Sequence, residues 1–314
     1  MASAPEPTVH ACFEPRTSTW QYVVADSATR AAVIIDSVLD FDPARNAIST
    51  ESADSLLALV KERGYTVDRL LETHAHADHL TASRYLQHQL EASSGTKPEI
   101  SIGKRIVGVQ RRFAQRYSIP PSEYEGKFDH LLDDDEIFKV GQLEAKAIHL
   151  PGHTPDHMGY MIGVNVFCGD SLFNTDVGSA RCDFPDGNAH ELFSSISKLF
   201  SLPDSFKIWT GHDYPPGGEA GRMAPLAYTT VAEQKQSNKH IKVGTTEDEF
   251  VQWRNQRDSG LAEPRLVHQA LQFNIRAGHL PAPADTPNGD QFLHVPIKLP
   301  AGDVWYKIRK EESI

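Results

Sequence analysis

The chain has 314 residues, 39% of them apolar and 23% charged, and its 31 basic against 42 acidic side chains leave a net charge of −11. That is enough chain to bury the core of one large domain or two modest ones, and its regular apolar periodicity argues against disorder. The acidic balance argues against nucleic acid or anionic lipid as the default partner, since each needs a basic face.

Alternating runs at 20–24 and 31–35 predict two paired strands joined across residues 26–29. Residues 49–64 predict a capped amphipathic helix with Leu56, Leu57 and Val60 on one face and Gly64 as its stop. A buried strand at 67–71, a helix at 80–90, a strand at 99–102 and a helix at 106–116 follow. The acid run at 133–136 reads as a solvated turn before strands near 137 and at 143–150. Runs at 158–162 and 164–168 then flank Gly163 as a hairpin would, followed by a helix at 189–200 and a strand at 207–210. Beyond about residue 221 the character changes. Residues 246–258 predict a polar helix capped by Thr245 or Thr246, with Glu247, Asp248 and Glu249 in its first turn, and 292–297 alternates like a strand. Hairpins among βα units predict an α/β (α+β) protein, two mixed sheets packed together with helices outside.

No apolar run approaches the ~20 residues of a membrane span. Cys12, Cys168 and Cys182 are too few and too scattered for a disulfide framework or a cysteine-based zinc site. Residues 1–14 have neither a secretory nor an Arg-rich leader pattern, so a cytoplasmic location is expected, with mitochondria as the alternative.

The chemistry concentrates at Thr73-His74-Ala75-His76-Ala77-Asp78-His79-Leu80, which places three imidazoles and a carboxylate within six positions. On extended chain, residues two apart point the same way, so His74 and His76 are expected to grip one ion. Asp78 and His79 would face the same space where the chain turns into the helix. Nitrogen and oxygen donors without cysteine suit Zn, Fe or Mn. Pro151-Gly152-His153-Thr154-Pro155, Gly169-Asp170 and Gly211-His212-Asp213-Tyr214 each follow directly on a predicted strand. Donors at several strand ends, gathered by the fold, make a metal site at a sheet's edge.

That ordered series, His74, His76, Asp78, His79, His153, Asp170 and His212, resembles the metallo-β-lactamase superfamily, which implies an αββα sandwich over about residues 10–220, with 221–314 as a C-terminal extension packed on it. More narrowly, Glu72 to His79, Gly152-His153-Thr154-Pro155, Gly169-Asp170-Ser171-Leu172-Phe173, Arg181-Cys182-Asp183-Phe184 and His212-Asp213-Tyr214 resemble the persulfide dioxygenases. The tail, with Leu271-Gln272-Phe273-Asn274-Ile275-Arg276-Ala277-Gly278, resembles that of longer bacterial relatives. This resemblance implies one Fe(II) held by His74, His153 and Asp170, with open positions for O2 and a persulfide, usually that of glutathione, converted to sulfite and thiol. His76, Asp78, His79 and His212 would then orient ligands or hold water.

A dinuclear Zn(II) hydrolase of the same fold, a glyoxalase II-like thioesterase or a lactonase, is the alternative. There His74, His76 and His153 take one ion, Asp78, His79 and His212 the other, and Asp170 bridges, activating water. The dioxygenase is preferred because Gly211-His212-Asp213-Tyr214-Pro215-Pro216 lacks the Glu-Tyr-Thr continuation and later Lys with which glyoxalase II holds glutathione. A silent binding protein would have lost a ligand, and none is lost. Asp78, His79 and Tyr214 are the expected catalytic groups, and Arg181 with Tyr214 the substrate-binding ones. Arg181 offers either a fork for a carboxylate or a brace to Asp183 or Asp186. His157 reads as a structural hydrogen-bonder, Cys168 and Cys182 as filler, and Arg111-Arg112 as a solvated face. The tail either covers the site mouth or forms a homodimer contact.

Overall fold

The computed structural model describes residues 6–215, 217 and 222–297; residues 1–5, 216, 218–221 and 298–314 lie outside the described residues. In chain order the first half contains β1 (Thr8–Glu14), β2 (Thr19–Ala25), β3 (Ala31–Ile35), β4 (Val38–Asp42), β5 (Ala47–Ser49), α1 (Glu51–Arg63), β6 (Thr66–Leu71), β7 (Leu80–Thr81), α2 (Ser83–Ser94), β8 (Glu99–Gly103), α3 (Ile106–Tyr117) and β9 (His130–Leu132). The second contains β10 (Ile137–Val140), β11 (Leu143–His149), β12 (Met158–Ile162), β13 (Asn165–Phe167), α4 (Ala189–Phe200), β14 (Lys207–Trp209), β15 (Tyr228–Thr230), α5 (Val231–Ser237), α6 (Glu247–Asp258) and α7 (Val267–Asn274).

Two six-stranded sheets run β1-β2-β3-β6-β8-β9 and β10-β11-β12-β13-β14-β15, with a third, three-stranded β5-β4-β7. Both large sheets are mixed: β3, β6, β8 and β9 are parallel in the first, and only β13–β14 is parallel in the second. Strand alternation decides the layers, because successive side chains leave opposite faces. Val23, Ala25, Ala32 and Ile34 pack with Leu56 of α1, Leu86 of α2, Phe113 of α3 and Leu271 of α7. Their neighbours Tyr22, Val24, Val33 and Ile35 instead meet Phe138, Tyr160, Phe167 and Trp209 of the second sheet. On that sheet's far side, Ile148, Val166 and Ile208 pack with Leu192 of α4, Val231 of α5 and Phe250 of α6. The layers are therefore helix, sheet, sheet, helix, the expected αββα sandwich.

Local rules account for several boundaries. Gly64 ends α1 in the left-handed region at φ 63°, and Thr246 caps α6 in a reciprocal box with Glu249. Two expectations are corrected. Residues 80–90 are not one helix, because Leu80 and Thr81 pair with Leu39 and Val38 before α2 starts at Ser83. Residues 292–297 form no strand; the backbone of His294 is held by the Gln272 side chain on both its N–H and its carbonyl, at 2.9 and 2.8 Å. No helix among the described residues is long and apolar enough to cross a membrane.

The C-terminal residues are built into the first core, where Val267, Ala270, Leu271, Phe273, Ile275 and Ala277 are all buried. Leu271→Ala should therefore lower unfolding free energy by about 2–5 kcal/mol in urea titrations, as a core truncation does; a surface-like loss below about 0.5 kcal/mol would contradict this packing.

Candidate metal centre

The sandwich brings the ends of both sheets to one edge, and backbone bonds lock them there. Met158 N–H donates to Thr73 O at 2.7 Å, Gly211 N–H to Gly169 O at 2.8 Å, and Trp20 N–H to Gly211 O at 2.8 Å. Buried hydroxyls add cross-ties, Tyr160 to Glu72 O at 2.7 Å and Tyr22 to Thr210 O at 2.5 Å. Glycine is required at two approaches: a Cβ on Gly152, at φ 134°, would lie 2.3 Å from the backbone of Leu192, and one on Gly211 would lie 2.4 Å from Asp170 Oδ1.

Each of the five donor histidines of this edge has one ring nitrogen engaged and the other turned inward. The Nδ1 of His74 lies 2.9 Å from Thr73 Oγ1, which itself donates to Asp36 Oδ2 at 2.9 Å. That relay makes Nδ1 the protonated nitrogen of His74 and leaves Nε2 a bare lone pair. His153 Nδ1 donates to Arg181 O at 2.7 Å, and His212 Nδ1 to Ser18 O at 3.2 Å. His76 Nε2 is held by Asp36 at 3.1 Å and Glu72 at 3.3 Å, and His79 Nδ1 by Asp78 at 3.1 Å. On the inward side, His74 Nε2, His76 Nδ1, His79 Nε2 and Asp170 Oδ1 are buried without a hydrogen-bond partner. Buried polar atoms are ordinarily satisfied, and a group of bare lone pairs facing one another is what a cation satisfies.

The spacing fits that reading. Asp170 Oδ2 lies 4.0 Å from His74 Nε2, 3.8 Å from His153 Nε2 and 3.4 Å from His212 Nε2. Three such separations are long for hydrogen bonds but suit ligands sharing an ion, whose bonds are about 2.0–2.2 Å each. The ligand atoms of His74, His153 and Asp170 form one group within 4.8 Å, those of His76, Asp78 and His79 a second. His212 Nε2 stands between them, 3.2 Å from Asp78 Oδ2. The expected pairing of His74 with His76 has their rings 4.2 Å apart and tilted by 54°, although the two do not share a regular strand. The strand ends at Leu71, and residues 73–79 are irregular, so the period of two does not apply.

Electrostatics separates the imidazoles. Burial first, then the surrounding rings, pull His74 well below the usual histidine range, and burial and His153 do the same to His157. His157 accepts from Asp170 N–H at 3.0 Å, so this neutral ring orients the carboxylate's backbone and stacks on His74 at 4.7 Å. At His76 burial works downward, but the Asp36 and Glu72 carboxylates raise its pKa well above the ordinary value.

A cavity of about 470 Å³ opens onto these groups, lined by Asp78, His153, Asp170, His212, Tyr214 and Arg181 among others. Tyr214 is half-exposed and stacks 5.9 Å from His212. The guanidinium of Arg181 forks onto both Asp183 oxygens at 2.5 Å and donates to Ala262 O at 2.9 Å. Cys182 is buried, its thiol pushed up to about 12, and Arg112 pairs with Asp186 at 2.5 Å. Sequence reasoning missed Asp36, whose only signal was its place just after a predicted strand. It also missed Asn274, whose side chain donates to the carbonyls of His76 and His79 at 2.8 Å and accepts from Thr81 N–H at 2.9 Å.

The description "Metallo-beta-lactamase superfamily" matches residues 15–212. "Glyoxylase B2" of Dictyostelium discoideum is 41% identical over 288 residues, covering 90% of this chain and 94% of that protein. "Persulfide dioxygenase ETHE1, mitochondrial" of Bos taurus is 29% identical over 269 residues, covering 85% and 87%. Among solved structures, the ETHE1 of Myxococcus xanthus superposes with a TM-score of 0.67 at 29% identity, over 87% of this chain and all of that one.

Thr73→Val keeps the shape but breaks the relay behind His74, and should lower metal affinity about 10–100-fold in competition with a chelator. Asn274→Ala strips three buried backbone groups of their partner and should cost about 3 kcal/mol or more in denaturant titrations. Unchanged metal affinity in the first or unchanged stability in the second would contradict these roles.

Proposed function

The chain belongs to the metallo-beta-lactamase superfamily, and from that premise we propose that it is a persulfide dioxygenase, oxidising a low-molecular-weight persulfide such as glutathione persulfide. The observation that carries this reading is the close group of two imidazoles and one carboxylate, His74, His153 and Asp170. That donor set is the one non-haem Fe(II) oxygenases use. Similarity to the bovine persulfide dioxygenase supports it. The chemistry the iron supplies when bound is electron exchange between triplet O2 and a spin-paired sulfur substrate. In the net reaction the outer sulfur becomes sulfite, taking two oxygen atoms from O2 and one from water, while the inner sulfur leaves as thiol.

The chain's own residues prepare that step. Thr73 with Asp36, and the Arg181 carbonyl, hold His74 and His153 in the tautomer that presents Nε2. His157 fixes the backbone of Asp170. Phe173, Val177, Leu261 and Pro264 give the cavity apolar walls that limit water around a reactive sulfur. Asp78, His79 and His212 form a hydrogen-bonded set beside the triad, placed to hold water and accept protons released with sulfite. Tyr214 stands at the same cavity with its hydroxyl available to substrate.

A second reading is favoured by a specific observation, the group of His76, Asp78 and His79, which suits a second ion. A dinuclear Zn(II) hydrolase would use both groups, and similarity to the Dictyostelium glyoxylase supports it.

Anaerobically purified, Fe(II)-loaded protein should take up O2 on addition of glutathione persulfide, with matching sulfite. His153→Ala and Asp170→Ala should abolish uptake, while His79→Ala should retain a measurable fraction. Absence of uptake, together with two bound zinc ions and thioester cleavage lost equally in all three variants, would falsify the dioxygenase reading in favour of the hydrolase.

A further inference from the structure

A second cavity, of about 130 Å³, adjoins the first on the side of α3 and α7. The two share Ala77, His153, Arg181 and Pro264, so His153 borders both. Beyond that shared wall the linings differ. The smaller cavity is walled by Phe113, Phe184, Pro185, Val267 and Leu271. Phe113, Val267 and Leu271 are buried, and the rings of Phe113 and Phe184 lie 5.4 Å apart.

The charged groups of this second lining are already paired. Arg116 meets Glu263 at 3.3 Å, and Arg181 is forked onto Asp183 and bonded to Ala262 O. His153 Nδ1 donates to Arg181 O at 2.7 Å. Arg116, Asp183 and Glu263 are exposed, so they mark the outer rim, while the apolar residues run inward to His153. Among the described residues, none of the buried side-chain nitrogens and oxygens that lack a partner belongs to this lining. A water inside would therefore find few of the roughly two to four polar partners it needs, and apolar cavities of about this size stay dry and take up small apolar solutes. The volume is also below the ~300–1,000 Å³ typical of small-molecule sites, a range that the larger cavity, at about 470 Å³, does reach.

We propose that this second cavity is a binding site for a small apolar gas, and that in this chain it supplies O2 to the metal centre from the side of His153. The identity of the gas rests on the dioxygenase reading; size and lining carry the site itself. Crowding is the reason for a separate site. A persulfide seated in the larger cavity obstructs that approach, whereas a nonpolar diatomic gains by leaving water for an apolar space. An ionic carrier cannot follow it there, because its charges would lose their hydration against phenylalanine, valine and leucine.

Xenon is the probe, being apolar, comparable in size to O2 and independent of turnover. Xenon NMR of the anaerobic, Fe(II)-loaded protein should show saturable uptake that Val267→Phe abolishes and Val267→Ala retains. In oxygen-electrode assays at saturating glutathione persulfide, Val267→Phe should raise the KM for O2 about fivefold or more, with kcat, metal content and the KM for persulfide at wild-type values. Val267→Leu intrudes less and should give an intermediate rise, which decides the matter if the phenylalanine variant fails to fold. Absence of saturable xenon uptake, uptake indifferent to residue 267, or an unchanged KM for O2 in both larger variants would overturn the proposal. Xenon uptake sensitive to Val267 in a protein that consumes no O2 would sink the dioxygenase and the oxygen supply but uphold the gas site. O2 consumption without xenon uptake would sink the gas site and uphold the dioxygenase.

Discussion

Everything at the functional edge depends on one constraint: a buried imidazole must have one nitrogen occupied if the other is to face inward as a lone pair. The occupied side is supplied by a different partner for each ring, Thr73 for His74, Asp36 with Glu72 for His76, Asp78 for His79, Arg181 O for His153 and Ser18 O for His212. All six partners lie in loops: the β1–β2 turn, the residue after β3, the 72–79 segment and the loop that follows β13. Of these rings, His74, His153 and His212 turn Nε2 toward Asp170 Oδ2, at 4.0, 3.8 and 3.4 Å.

The sandwich makes that convergence affordable in a physical sense because its two sheets share a core. Tyr22 and Tyr160 are completely buried between the layers, and each hydroxyl is bonded to the backbone immediately before a donor loop. Packing and polar anchoring therefore act on the same residues. A core this tight transmits displacement rather than absorbing it, so the position of the donor loops is set by the sheets and not by the loops themselves.

The C-terminal extension takes part in the same scheme from outside. Asn274 of α7 closes the backbone of the His76–Thr81 loop, Ala262 receives the second donor of Arg181, and Asp258 holds the backbone N–H of Cys182 at 2.7 Å. Contacts on two site loops, 76–81 and 181–182, mean that the extension shapes the cavity as well as covering part of it. The same segment brings Lys239, Arg254 and Arg257 to the lining of the cavity.

Much of this was legible in one dimension. The sandwich's strands show their alternation, α1 and α6 show their caps, and seven donors stand in order at strand ends, because these depend on local periodicity and on residue type. What escaped depends on partners distant in the chain. β1 is an edge strand of half-buried residues, and α7 is buried on nearly every side, so neither displays a clean period. The run at 292–297 has the pattern of a strand but meets the Gln272 amide instead of a sheet. Likewise the histidines of 74–79 and the arginine at 181 were visible as residue types, but their orientation was not. Which nitrogen faces inward, and whether a guanidinium is free or forked onto Asp183, is decided by hydrogen bonds to groups that only the folded chain brings within 3 Å or so.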